Sequence, residues 1–170
     1  MNTSYIFVCA LLVVACLSDL RTRRIPNVLT FSAVACALLF HLVTGGPSAA
    51  GWSLVGCLLG IALFLPMFAL RGMGAGDVKL LAAVGAWLGP SQVAGVALAA
   101  SLAGGVIAIV MAVSHGYLKT AFKNLWLLLM HWRVAGVRPL QHVTLEGARG
   151  PRLAYAVPIS IGTLVTLWLK

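Results

Sequence analysis

Long apolar runs, each closed by a short polar or glycine-rich break, make up most of the chain. A membrane-crossing helix needs about 20 predominantly apolar residues, and residues 5–20, 28–44, 51–70 and 152–169 approach that length. The block 78–113 exceeds it, since as one helix it would measure roughly 54 Å. Gly89-Pro90-Ser91 divides this block. The residue before proline is pushed out of the helical region, and proline suits the first position of a new helix. A short helix over 77–88 and a full one over 91–113 result. The pattern therefore predicts an all-α, polytopic membrane protein with six transmembrane helices in a single membrane-embedded domain over 1–170.

The segment 115–151 is the one sizeable polar stretch, and it reads as a cytoplasmic loop. Inside it, Leu125-Trp126-Leu127-Leu128-Leu129-Met130-His131-Trp132 is too short to span and is flanked by Lys123 and Arg133. Such a segment is expected to lie as an interfacial helix among anionic lipid headgroups.

Charge tests the span count. Basic loops stay on the cytoplasmic side. With the N-terminus outside and six crossings, all but one of the 12 Lys and Arg residues fall on one face, and only Lys170 lies opposite. The C-terminus is then outside as well. Six crossings also bring the ends of the helices carrying Asp19 and Asp77 to the same cytoplasmic side. Composition agrees: 61% of residues are hydrophobic and 9% charged, too apolar for a water-soluble surface. The net charge of +9 belongs to these loops and to lipid phosphates, so no nucleic acid is expected as a partner. The four cysteines lie in apolar runs, with neither Cys-x-x-Cys nor histidine at ligand spacing, and read as buried small hydrophobes. No metal and no cofactor is expected.

The chemistry rests on three acidic residues. Glu146 lies in the polar loop, whereas Asp19 and Asp77 adjoin membrane-length apolar runs, where a carboxylate is costly to hold and marks a functional site. Two carboxyl groups sharing one proton can hydrolyse a peptide bond, one activating water and the other polarising the carbonyl. Asp77 sits at a predicted helix N-terminus and Asp19 near a C-terminus, so the helix dipoles nominate Asp77 as base and Asp19 as proton holder. The structural alternatives are an N-cap for Asp77 and a solvated loop residue paired with Arg21 or Arg23 for Asp19. Lys79 is expected to point away from Asp77 and anchor to phosphate heads, Asn27 to cap the second helix, and the histidines to be interfacial or loop residues. Gly74 and Gly76 provide either close backbone approach to a substrate strand or tight packing.

Two segments carry a resemblance: Asp19 followed by Arg23-Arg24-Ile25-Pro26-Asn27, and Gly74-Ala75-Gly76-Asp77-Val78-Lys79-Leu80. Together they resemble the type IV prepilin peptidases, membrane aspartic proteases that remove leader peptides from pilin precursors at the cytoplasmic face of the bacterial inner membrane. Tyr155-Ala156-Val157-Pro158-Ile159-Ser160-Ile161-Gly162 looks like the family's last-helix segment, with Ala154 where proline is frequent. The resemblance places the catalytic pair on Asp19 and Asp77, with Gly74, Gly76 and Asn27 shaping the site or meeting substrate. It implies prepilins with an apolar N-terminal helix as substrates. The larger members' paired Cys-x-x-Cys motifs are missing, so the chain looks like the short form found with tight-adherence (Flp) pili, and N-methyltransferase activity is not expected. Rival readings are a presenilin-like intramembrane protease, a small proton-coupled transporter, and a pilus-assembly scaffold.

Overall fold

The computed structural model describes residues 3–116, 118–135 and 154–169. Six helices follow in order: α1 Thr3–Thr22, α2 Asn27–Ala69, α3 Ala75–Leu88, α4 Pro90–Ser114, α5 Leu118–Ala135 and α6 Ala156–Trp168. The described residues contain no strand, as the all-α expectation requires.

The short helix α3 is the axis of the bundle. From Val78 to Leu88 every residue except Lys79 is buried, while the other helices turn apolar side chains such as Leu17, Val43, Leu98 and Ile109 outward. A helix buried all round at the centre and apolar surfaces facing outward are what a lipid solvent demands.

α2 wraps this axis from two sides. It is two helical arms joined across a kink at a non-helical residue, Gly46, at φ 74° and ψ −171°, a backbone region that glycine occupies without a Cβ clash. Pro47 follows directly. Before the break, Asn27 reaches Lys79 at the start of α3 and His41 reaches the Trp87 carbonyl at its end. After the break, Ser53 donates to the Ala86 carbonyl and Gly60 lies on Leu81 and Ala82. The first arm thus runs with α3 and the second runs back against it.

Glycine makes the second contact possible. A Cβ at Gly56 would fall far inside van der Waals contact with the Gly85 carbonyl oxygen, and one at Gly85 would strike the Gly56 carbonyl. The Gly56/Gly60 and Gly85/Gly89 spacings are therefore close-packing sites, with backbone resting on backbone. A Gly85→Leu variant should lose about 1–3 kcal/mol or more of stability through overpacking, read as a lower melting temperature in detergent. An unchanged melting temperature would contradict this packing.

The expected span count needs correction. Among the described residues three helices are long and apolar enough to cross a membrane: Thr3–Thr22, Asn27–Ala69 and Pro90–Ser114. The runs 28–44 and 51–70 fall on the two arms of α2, before and after the kink at Gly46, save for residue 70 just past its end. α3 has 14 residues and α6 has 13, which gives each only about 20 Å of length. The break at Gly89, with φ 82° and Pro90 opening α4, lies where the sequence places it. The interfacial segment is part of a longer helix, α5, whose exposed Lys119, Phe122, Lys123, Trp126 and Arg133 mix basic and aromatic groups. The rest of the polar loop, with Arg138, His142, Glu146 and Arg149, lies outside the described residues, as does Arg152 at the start of the run 152–169.

Two smaller expectations also shift. Of the cysteines only Cys57 is buried; Cys36 is exposed, and Cys16 Sγ lies 3.0 Å from Ser160 Oγ, joining α1 to α6. His41 is not a loop residue: it joins a cluster of Phe7, Phe40 and Trp87 at the far end of α3.

Candidate active site

The buried residues of α1 are Val8, Leu11, Leu12, Ala15 and Asp19. These positions follow helical spacing and form a single stripe along one face, and the stripe ends on a carboxylate. Asp19 is only 6% exposed. Its Oδ2 accepts a hydrogen bond from the Ala156 backbone N–H at 3.1 Å. Ala156 is the first residue of α6, so Asp19 satisfies an otherwise unmatched N–H at a helix start. The solvated-loop alternative for Asp19 is thereby contradicted.

α1 then stops sharply. Arg23 adopts φ 54°, while Ser18 and Thr22 donate their hydroxyls to the Arg24 carbonyl at 2.9 and 3.2 Å. This turn aims Ile25 inward, where it is buried, and Pro26 caps α2. Asn27 is consequently not the cap. Its Oδ1 accepts from Lys79 Nζ at 2.9 Å, and the same ammonium lies 5.3 Å from the Phe31 ring centroid. Lys79 is thus turned toward the start of α2 and not toward lipid heads alone, because the first arm of α2 packs along that side of α3.

Asp77 is the third residue of α3, with Gly74 at the cap. Its carboxylate accepts from the Gly74 N–H at 3.3 Å, while its own N–H donates to the Gly74 carbonyl at 3.2 Å. Asp77 therefore braces the helix start from inside the first turn instead of capping it. Gly74 and Gly76 are both close-packing positions. A Cβ on Gly74 would lie 3.2 Å from Asp77 Oδ2, and one on Gly76 would lie 3.2 Å from Ile25 Cβ. Larger residues there would push on the carboxylate and on the Ile25 turn.

These segments meet around one cavity of about 490 Å³, lined by Asp19, Arg23, Arg24, Ile25, Pro26, Asn27, Gly74, Ala75, Gly76, Asp77, Lys79 and Tyr155. Every residue nominated from the sequence (Asp19, Asp77, Gly74, Gly76 and Asn27) lines it. Sequence reasoning misses Lys79, Tyr155 and the Ala156 N–H. The first two have a ready alternative in lipid contact or core, and a backbone amide carries no side-chain signal. Among the described residues, no group of three or more His, Cys, Asp or Glu gathers as a metal site.

Asp77 lies outside the three long apolar helices, and its carboxyl is pushed up to about 7. Burial is the main cause and the nearby charge of Asp19 adds to it, while the Gly74 N–H opposes both. Asp77 therefore keeps its proton far closer to neutral pH than a solvated carboxyl does.

Residues 6–109, more than half of the chain, match the Type IV leader peptidase family, and the chain belongs to that family. The matched residues include Asp19 and Asp77 with both flanking motifs. Prepilin leader peptidase/N-methyltransferases from Pectobacterium carotovorum and Neisseria gonorrhoeae are each 35% identical to it, over 106 and 105 residues. Each match covers 58% of this chain, and 38% and 36% of the relative. The corresponding protein from Dickeya chrysanthemi is 39% identical over 94 residues, covering 51% of this chain and 32% of its own. The chain thus spans roughly a third of the length of these curated relatives. No solved structure matches it significantly.

Proposed function

We propose that the protein is an aspartic endopeptidase of the bacterial inner membrane that removes the leader peptide of type IV, Flp-type, prepilins. The observation that carries this reading is the convergence of Asp19 and Asp77 on one cavity, one of them holding a proton near neutral pH. Membership of the leader peptidase family, and relatives that are prepilin leader peptidases, support the substrate class.

The chemistry follows from the pair. Asp77 enters protonated, which leaves Asp19 as the carboxylate that accepts a proton from water. This reverses the roles that the helix ends alone nominate, because burial of Asp77 outweighs its place at a helix start. The water oxygen bonds to the scissile carbonyl carbon as its proton passes to Asp19, and the carbonyl oxygen takes the proton of Asp77. On collapse, the leaving nitrogen takes the proton from Asp19 as the C–N bond breaks. A hydroxyl of the tetrahedral carbon returns its proton to Asp77. Atoms and charges balance, and both carboxyls regain their starting states.

Arg23, Arg24 and Lys79 line the cavity, and Arg21 and Arg71 lie within a few residues of the segments that form it. This basic end favours the cytoplasmic face for the site under the positive-inside rule. The apolar helix of a prepilin would lie in the bilayer against the bundle, and α5 would rest on anionic headgroups. A presenilin-like protease would use the same pair; the Asp19-to-Asn27 segment, packed by Ile25 onto Gly76, favours the leader peptidase.

The test is co-expression with an Flp-type prepilin, with the pilin's mass read afterwards. Loss of the leader is expected, without the added mass of an N-methyl group. An unprocessed pilin beside abundant protein in the membrane would overturn the peptidase reading, and a methylated product would overturn the expectation about methylation.

A further inference from the structure

Tyr155 stands directly before α6, and its ring meets Phe64 of α2 edge-on with centroids 6.0 Å apart. Its phenol oxygen points at Gly104 of α4, where a Cβ would fall only 2.8 Å away. Phe64 and Gly104 thus fix the ring from two sides, and the glycine leaves just enough space for the hydroxyl. Tyr155 also lines the cavity that holds both aspartates. The residue after it supplies the N–H that holds Asp19, so tyrosine and dyad are tied to the same helix start. Among the described residues the hydroxyl makes no hydrogen bond, although a tyrosine hydroxyl in a half-buried position ordinarily finds a partner.

We propose that Tyr155 is a third catalytic group of this site: its hydroxyl donates a hydrogen bond to the carbonyl oxygen of the scissile peptide as negative charge develops there. The phenol keeps its proton throughout, so the hydrolytic sequence above is unchanged in its bonds and charges. Burial, and secondarily the charge of Asp77, raise the phenol above its ordinary value, so it is a donor at every pH at which the dyad works. A donor whose ring is already held at the cavity wall needs little reorganisation to meet developing charge, and it stabilises the transition state more than the ground state. The proposal rests on the peptidase reading.

The experiment uses the full chain in lipid nanodiscs with a purified prepilin. It compares wild type, Asp77→Asn, Tyr155→Phe, Gly104→Ala and the Tyr155→Phe/Gly104→Ala double variant. Tyr155→Phe keeps the ring against Phe64 and removes only the hydroxyl. Its kcat should fall about 10- to 100-fold, with KM within about twofold of wild type. Gly104→Ala should lower kcat in the wild-type background by displacing the phenol, and add less than about twofold once Tyr155→Phe is present. A Tyr155→Phe enzyme with wild-type kcat would overturn the proposal, as would a change confined to KM. Cleavage by wild type and none by Asp77→Asn would leave the peptidase reading standing in either case. A wild type that does not cleave would bring down that reading and the role of Tyr155 with it.

Discussion

On the proposed reading, Asp77→Asn is expected to lower the rate of leader removal by about 10²- to 10⁴-fold, and Asp19→Asn to do the same. Both variants are expected to accumulate in the membrane as the wild type does. The loss is large because an amide can neither accept the proton of water nor pass one to the carbonyl oxygen, while shape is kept. Folding survives for reasons visible in each site. The amide that Asp19→Asn introduces retains an oxygen to accept the Ala156 N–H, and the amide of Asp77→Asn retains one for the Gly74 N–H. Asp77→Asn also removes a carboxyl whose ionised form is disfavoured by burial, so that variant should be no less stable than wild type above neutral pH. A time course of pilin mass with purified protein, beside a melting curve, checks both halves. If either variant kept a tenth or more of wild-type activity, the aspartate concerned would be structural, and a scaffold or transporter role would gain ground.

The second large effect is on pH. In the proposed mechanism Asp77 is protonated before attack, and burial with the nearby Asp19 charge pushes its carboxyl up to about 7. The working form is therefore present below that pH and lost above it, so kcat/KM for prepilin should fall about tenfold per pH unit on the alkaline side. Asp19→Asn removes the neighbouring charge but not the burial. It should move the Asp77 midpoint down while leaving it above the ordinary carboxylate range, since burial is the larger cause. The infrared band of the protonated carboxyl follows this in the inactive variant. A midpoint unmoved by Asp19→Asn would show that the two carboxyls do not interact, and no dyad would exist.

Much of the site is legible before the helices pack. Asp19 ends a stripe of Val8, Leu11, Leu12 and Ala15, and helical periodicity alone points that stripe in one direction. Gly89-Pro90 ends one helix and starts another by local sterics, and the structure breaks there. Asn27 and Lys79 are harder, because each taken against its own helix suggests a cap or a lipid anchor, while its partner is the other residue across the α2–α3 contact. The number of membrane-length helices is overestimated for a similar reason. Apolar content marks 77–88 and 152–169 as lipid-compatible, yet α3 is short and central and α6 is short, which only packing reveals.

Composition, periodicity and local backbone preference are enough to set the all-helical membrane class, the breaks between helices, and the two carboxylates with their flanking motifs. Each of these depends on residues that are neighbours in the chain. What surrounds each carboxylate depends on residues that are not. Packing buries Asp77 beside a second charge, sets Asp19 on the first N–H of a helix 137 positions away, and brings Tyr155 to the same cavity. The upward shift of the Asp77 carboxyl follows from desolvation and from a charge remote in the chain, and both exist only once the helices pack.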